Sequence, residues 1–237
     1  MNIDILLYEG FDELDAIGPY EVFDYALRDA AAEPSDRSGD DEMTADETTD
    51  DETTADRPGR VRYVTLDERE RVTASHGTLV GVDGVLPDPH AEEAPDLLVV
   101  PGGGWTARDE TASAWAEARK GDIPRALGEY HAAGVRTAAV CTGAMLLAEA
   151  GVTDGRRAVT HASAIDELRE SGAEVVDARV VDDGDLLTAG GVTSGIDLAL
   201  YLVEREFGEE KADRVATVIE YERRDAVAGV GGDDGRA

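Results

Sequence analysis

The chain is short of the residues that cross-links and membrane spans require. Its one cysteine, Cys141, excludes an internal disulfide framework and a zinc site built on several thiolates. No apolar run approaches the roughly 18 residues of a bilayer-crossing helix. The opening residues, MNIDILLYEG, lack a basic leader and a small-residue cleavage site, and read as a strand rather than a signal peptide. Lysine is the scarcest charge: Lys120 and Lys211 stand alone among 22 bases, against 53 acids, for a formal net charge of −31.

Residues 29–57 hold twelve acids and two arginines, yet the remainder still carries −21, so the excess is spread along the chain. Such a surface repels nucleic-acid phosphates and anionic lipid, so neither nucleic acid nor membrane is expected as a partner. An acid-rich, lysine-poor surface suits a cytoplasm of multimolar salt, where the Debye length is about 3 Å or less and self-repulsion is screened. The expectation is a cytoplasmic protein of haloarchaeal type. An acidic protein that binds a basic partner is the competing reading, and it leaves the missing lysines unexplained.

The 237 residues, 42% of them hydrophobic, suffice for a large core. IDILLY (3–8) reads as a buried strand. Gly18-Pro19 reads as a helix start, with proline in the first turn and Tyr20, Val22, Phe23, Ala26 and Leu27 on its apolar face. From 30 to 58 the composition turns to Asp, Glu, Thr, Ser and Ala without periodicity, which predicts a disordered acidic insert. Strands are predicted at 60–66, 71–74, 78–81, 96–100, 135–140, 157–160, 174–181 and 185–189. Helices are predicted at 110–119, 122–133, 142–150, 162–171, 194–207 (Ser194 as its cap) and 209–223, and a flexible tail at 225–237. Strands alternating with helices predict a mainly parallel α/β sheet covered on both faces, in one domain over 1–224 interrupted at 30–58. No helix-turn-helix is expected in the few residues after the last helix.

Cys141 falls where a strand ends and a helix begins, among Ala138, Ala139, Thr142, Gly143 and Ala144. A tight strand-to-helix turn needs such small residues, as in a nucleophile elbow. The free N–H groups and positive end of the helix then favour a thiolate near or below neutral pH. The alternative is a buried thiol that packs as a small hydrophobe. Gly102, Gly103 and Gly104 end a neighbouring strand, where their N–H groups could join that of Thr142 as an oxyanion hole, or simply make a turn. Asp15 lies between Leu14 and Ala16-Ile17, an apolar setting unlike that of a solvated acid. Beside a thiolate its pKa would rise, suiting it to act as a general acid near neutrality. His76, His90 and His131 have no ligand-spaced partners and read as surface or turn residues; no metal site is expected. Trp105 reads either as a pocket wall or as core.

The segments FDELDAIGPYEVF (11–23), DLLVVPGGG (96–104), AAVCTGAMLLAEAGVTDGRRAVTHASAIDEL (138–168) and LLTAGGVTSGIDLALYLVE (186–204) together resemble the ThiJ/PfpI (DJ-1-like) family. The resemblance is strongest to its isonitrile hydratase branch and to the related N-terminal domains of AraC-type regulators. It implies a flavodoxin-like three-layer sandwich related to class I glutamine amidotransferases, commonly homodimeric. It makes Cys141 the elbow cysteine and Asp15, in L-D-x-x-G-P, the carboxylate that contacts it. Gly103 and Thr142 become the backbone donors facing the thiolate, and His161, in V-T-H, a histidine near the pocket. Thr142 follows the cysteine where the peptidase branch has histidine, which argues against proteolysis.

These readings converge on a cysteine-dependent enzyme for a small molecule, a lyase or hydrolase like isonitrile hydratase, needing no metal or organic cofactor. Glyoxalase- or deglycase-like action on 2-oxoaldehydes is a second enzymatic reading. A redox or stress sensor, in which Cys141 is oxidised to a sulfinate, is the non-enzymatic one. Transcriptional regulation is a third class, disfavoured by the charge.

Overall fold

The structure, a computed structural model, describes residues 1–32, 59–224 and 227–229. Of the insert expected to be disordered at 30–58, residues 30–32 end the helix Glu13–Ala32 instead, and the rest lies, with most of the predicted tail, outside the described residues.

The chain runs β1 (Asn2–Leu6), α1 (Glu13–Ala32), β2 (Arg60–Thr65), β3 (Arg71–Thr73), β4 (Leu79–Gly81), β5 (Gly84–Val85), β6 (Leu97–Val100), α2 (Ala114–Lys120), α3 (Asp122–Ala132), β7 (Arg136–Val140) and α4 (Gly143–Glu149). It continues through β8 (Arg157–Ala158), a 3-10 turn (Ala162–Ala164), α5 (Ile165–Glu170), β9 (Glu174–Val175), β10 (Val180–Asp182), β11 (Leu186–Ala189), α6 (Ser194–Phe207), α7 (Glu209–Val218) and β12 (Val227–Ala228). One eight-stranded sheet has the order β12-β10-β11-β7-β6-β1-β2-β5, and β3-β4 and β8-β9 form two small ribbons. Within the large sheet only β10 and β11 pair antiparallel. The central strands are mainly apolar because both faces are covered: Leu97–Val100 and Thr137–Val140 are fully buried. Helices α1, α6 and α7 pack on one another, and α2, α3 and α4 form a second group. The result is the flavodoxin-like three-layer α/β sandwich.

Several boundaries differ from expectation for local reasons. Helix α1 begins at Glu13, so Pro19 lies inside it rather than opening it. The expected strand 174–181 is broken at 176–179: its first part pairs with β8, its second with β11. The expected helix 162–171 starts as a 3-10 turn, and Thr193 rather than Ser194 stands at the cap of α6, without a side-chain bond. Val227 and Ala228, expected in a flexible tail, form an edge strand paired with Val180 and Val181.

The parallel strands β1, β6, β7 and β11 all end on one edge of the sheet. Their continuations are the start of α1, the glycine run, the Cys141 turn and the Gly190–Thr193 loop. Ligands of open α/β sheets bind at this edge.

Candidate active site

Cys141 directly follows β7 and adopts a left-handed backbone, φ +56°. For a residue with a Cβ this conformation costs about 1–2 kcal/mol, so the surroundings must hold it. They do so at both backbone groups. The Cys141 N–H donates to the carbonyls of Ala189 (3.1 Å) and Gly190 (2.9 Å), and its carbonyl accepts from Thr160 Oγ1 at 2.9 Å. The turn also presses against the glycine run. A Cβ on Gly143 would stand 2.1 Å from the Val100 carbonyl oxygen, and one on Gly102 would stand 2.4 Å from the Thr142 nitrogen. Neither position accepts a side chain.

Asp15 arrives from the first turn of α1. Pro19, four residues on, has no N–H, so the Asp15 carbonyl receives no helical bond from it. The side chain is fully buried. Its Oδ2 accepts the Gly102 N–H at 2.9 Å, Oδ1 has no hydrogen-bond partner, and the Cys141 thiol interacts with the same carboxyl. Burial, followed by the negative charge of Asp12, pushes its pKa to about 8, against the weaker downward pull of the Gly102 and Cys141 contacts. Asp15 is therefore a neutral carboxylic acid at neutral pH.

The thiol moves opposite to expectation. Burial, then the negative charge of Asp15, pushes Cys141 up to about 12, although the N–H groups of Val192 and Thr142 favour its anion. The reason is local: α4 is seven residues long, too short for a strong dipole, and the Cys141 side chain is almost closed off from water. At neutral pH the pair holds both its protons, one on sulfur and one on carboxyl. Tyr8 lies beside it, its hydroxyl donating to the Pro101 carbonyl at 2.8 Å, and burial next to Asp15 and Cys141 keeps it protonated.

The predicted backbone donors divide. The Thr142 N–H faces the sulfur. The Gly103 N–H is instead engaged by Thr142 Oγ1 at 3.0 Å and holds the elbow against the glycine run. Gly102 serves Asp15. The second donor at the sulfur is Val192, a residue that sequence reasoning missed. Its signal was the Gly190-Gly191 pair ending a strand that neighbours β7; only the strand order reveals that adjacency.

A cleft of about 160 Å³ opens at Cys141, walled by Asp12, Trp105, Thr142, His161 and Val192, with Gly103 and Gly104 also on its surface. His161 Nδ1 accepts the Ser163 N–H at 3.1 Å and lies 2.7 Å from Ser163 Oγ, leaving Nε2 as the ring's other polar atom. The ring packs against the Gly191 backbone. Of the other histidines, His76 Nε2 lies 3.8 Å from Asp12 Oδ2, His131 sits between Thr137 and Arg156, and His90 donates its N–H to Asp88. Among the described residues no three histidine, cysteine or acidic side chains converge as metal ligands.

A thiol held in strained backbone at a strand–helix turn, at the carboxyl edge of a doubly covered parallel sheet, places the protein among the nucleophile-elbow α/β proteins. Within them the chain belongs to the DJ-1/PfpI family, whose model matches residues 1–205. It is 46% identical over 82 residues to isonitrile hydratase of Pseudomonas putida, covering 35% of this chain and 36% of that protein. It is 33% identical over 150 residues to a deglycase of Pyrococcus horikoshii, covering 63% and 81% respectively. The crystal structure of an AraC family transcriptional regulator from Pseudomonas putida shares the fold, with a TM-score of 0.68 at 23% identity, over 92% of this chain and 98% of that one. The chain spans well under half the length of several curated relatives it matches. The family thus contains enzymes and regulators.

Proposed function

We propose that the protein is a cysteine-dependent enzyme acting on a small electrophile, with hydration of an isonitrile to an N-substituted formamide as the favoured reaction. The observation that carries this reading is the pairing of the Cys141 thiol with a buried, protonated Asp15 at the foot of a small cleft. Sulfur bonds to the isonitrile carbon while Asp15 gives its proton to that same carbon and receives the thiol proton. The product is a thioimidate, R–N=CH–S–Cys141. Water adds to its carbon, the C–S bond breaks, the thiol regains a proton, and R–NH–CHO leaves. The N–H groups of Val192 and Thr142 stabilise negative charge on sulfur as it enters and leaves. Turnover of a simple alkyl isonitrile, followed by formamide release, tests this reading; an inactive wild type or an equally active Cys141→Ser variant removes it.

The likeness to a deglycase over most of that enzyme's length supports a second reading, addition of the thiol to a 2-oxoaldehyde to give a hemithioacetal. Methylglyoxal consumption distinguishes the two. Oxidation of Cys141 to a sulfinate is the sensor reading, and a mass increase under mild peroxide tests it. The acid-rich, lysine-poor composition supports a salt-rich cytoplasm as the setting, and no helix among the described residues is long and apolar enough to cross a membrane. Ile17 and Tyr25, outward on one face of α1, support a homodimer.

A further inference from the structure

The wall of the cleft facing α5 is built in an unusual way. Trp105, almost wholly buried, follows the glycine run and begins an irregular loop that continues to Ser113. Its indole Nε1 donates to Glu167 Oε2 at 3.1 Å, and Glu167 stands on α5. The Arg108 guanidinium donates to both oxygens of the same carboxylate at 3.2 Å and lies 3.8 Å over the ring of Trp115. Trp115 in turn meets Trp105 edge to face, with ring centroids 5.2 Å apart. Arg108 is itself in left-handed backbone, φ +51°, a conformation that persists only where side-chain contacts hold it. One carboxylate thus ties together the first and fourth residues of a loop whose first side chains, Trp105 and Thr106, line the cleft.

The cleft is small. At 160 Å³ it has about half the volume, or less, of sites that hold drug-sized ligands. Trp105 and Thr106 form one wall of it, braced by Glu167.

We propose that Glu167, Arg108 and Trp115 are positioning residues that lock the Trp105 indole as a size filter, so that the nucleophile serves compounds of a few heavy atoms with a compact substituent. The proposal rests on the reading of Cys141 as the nucleophile and deepens it to a size class of substrate. It also explains why Glu167 receives both the indole and the guanidinium: the same carboxylate sets the wall and its distance from α5.

Because Cys141 is the one thiol in the chain, its alkylation rate reports access to the cleft without any assumption about turnover. The experiment compares iodoacetamide with a pyrene maleimide at pH 9 in wild type, Glu167→Ala, Glu167→Gln and Arg108→Ala. Wild type is expected to react with the small reagent and to discriminate against the large one. Glu167→Ala and Arg108→Ala should raise the large-to-small rate ratio by about tenfold, the discrimination a pocket makes for a methylene or two. The iodoacetamide rate should change by less than this ratio. Glu167→Gln keeps an acceptor for Trp105 and should lie between. A ratio unchanged in Glu167→Ala and Arg108→Ala, with both still folded by circular dichroism, overturns the filter. So does a thiol inert to both reagents in all four proteins. Loss of isonitrile turnover with an intact ratio shift instead removes the enzymatic reading and leaves the filter standing.

Discussion

Asp15 carries the pH dependence of the site. Its pKa near 8 makes it a proton donor at neutral pH, so the rate should fall as pH rises through about 8. Asp15→Asn keeps the size and removes the transferable proton. It should reduce kcat by about 10²–10⁴-fold and abolish that descending limb, as pH–rate profiles of both proteins would show. Stability also falls as pH rises, but over a lower window. Below about pH 4 both folded and unfolded chains hold the Asp15 proton. Between there and pH 8 the unfolded chain releases it while the folded chain retains it, so unfolding gains in favour as pH rises. Asp15→Asn removes that burden, and its melting temperature should exceed wild type at pH 7 and match it more closely at pH 4. Cys141→Ser should be inactive and folded, since no strong base stands beside a serine hydroxyl there. Measurable turnover by that variant would reduce the elbow to a structural turn.

At the scale of elements, the site depends on loops held from outside the cleft. The Gly190–Thr193 loop supplies Val192, and Arg179, just before β10, brackets it. The Arg179 carbonyl accepts the Gly190 N–H at 3.0 Å, and its guanidinium donates to Thr193 Oγ1 at 2.9 Å and to the carboxylate of Asp197 on α6. Asp197 is almost fully buried and also receives the Tyr221 hydroxyl and the Arg224 N–H. Arg179→Ala leaves this carboxylate without its charged partner, which should cost about 3 kcal/mol in chemical denaturation. Arg179→Lys keeps the charge but not the fork, and should recover part of that loss. On the other side of the site, Glu13 at the start of α1 accepts N–H groups of His76 and Thr78 in the turn joining β3 to β4. Those bonds hold its carboxyl below the usual range against the opposing effect of burial. They tie the small ribbon to the helix that delivers Asp15.

For the whole molecule, charge sets the conditions of folding. Many arginines are paired at the surface, as in Arg125–Glu129 and Arg169–Asp166, yet such pairs contribute little and cannot offset an excess of 31 negative charges. Self-repulsion in dilute buffer should be of the same order as the net stability of a domain, about 5–15 kcal/mol. The melting temperature should therefore climb steeply from low to multimolar KCl, measured by circular dichroism or calorimetry. A flat profile would remove the salt-adapted reading.

Much of the fold was legible in the sequence because buried parallel strands appear as short apolar runs and their helices as periodic ones. IDILLY, DLLVV and VRTAAV mark the centre of the sheet without any tertiary information. Cys141 among small residues, Asp15 in an apolar stretch and the glycine run were legible for the same reason: each is a local departure from its surroundings. Other features depend on which segments become neighbours. The start of α1 at Glu13 is decided by the Pro101–Gly104 turn and the β3–β4 ribbon that pack against it, so a proline that locally signals a helix start ends up inside one. Val192 reaches the sulfur only because β11 pairs with β7, and Gly103 loses its place there to a hydroxyl one strand away. The thiol's proton affinity was the furthest from local reading. A helix N-terminus is visible in sequence, whereas the desolvation that outweighs it is a property of the closed tertiary structure.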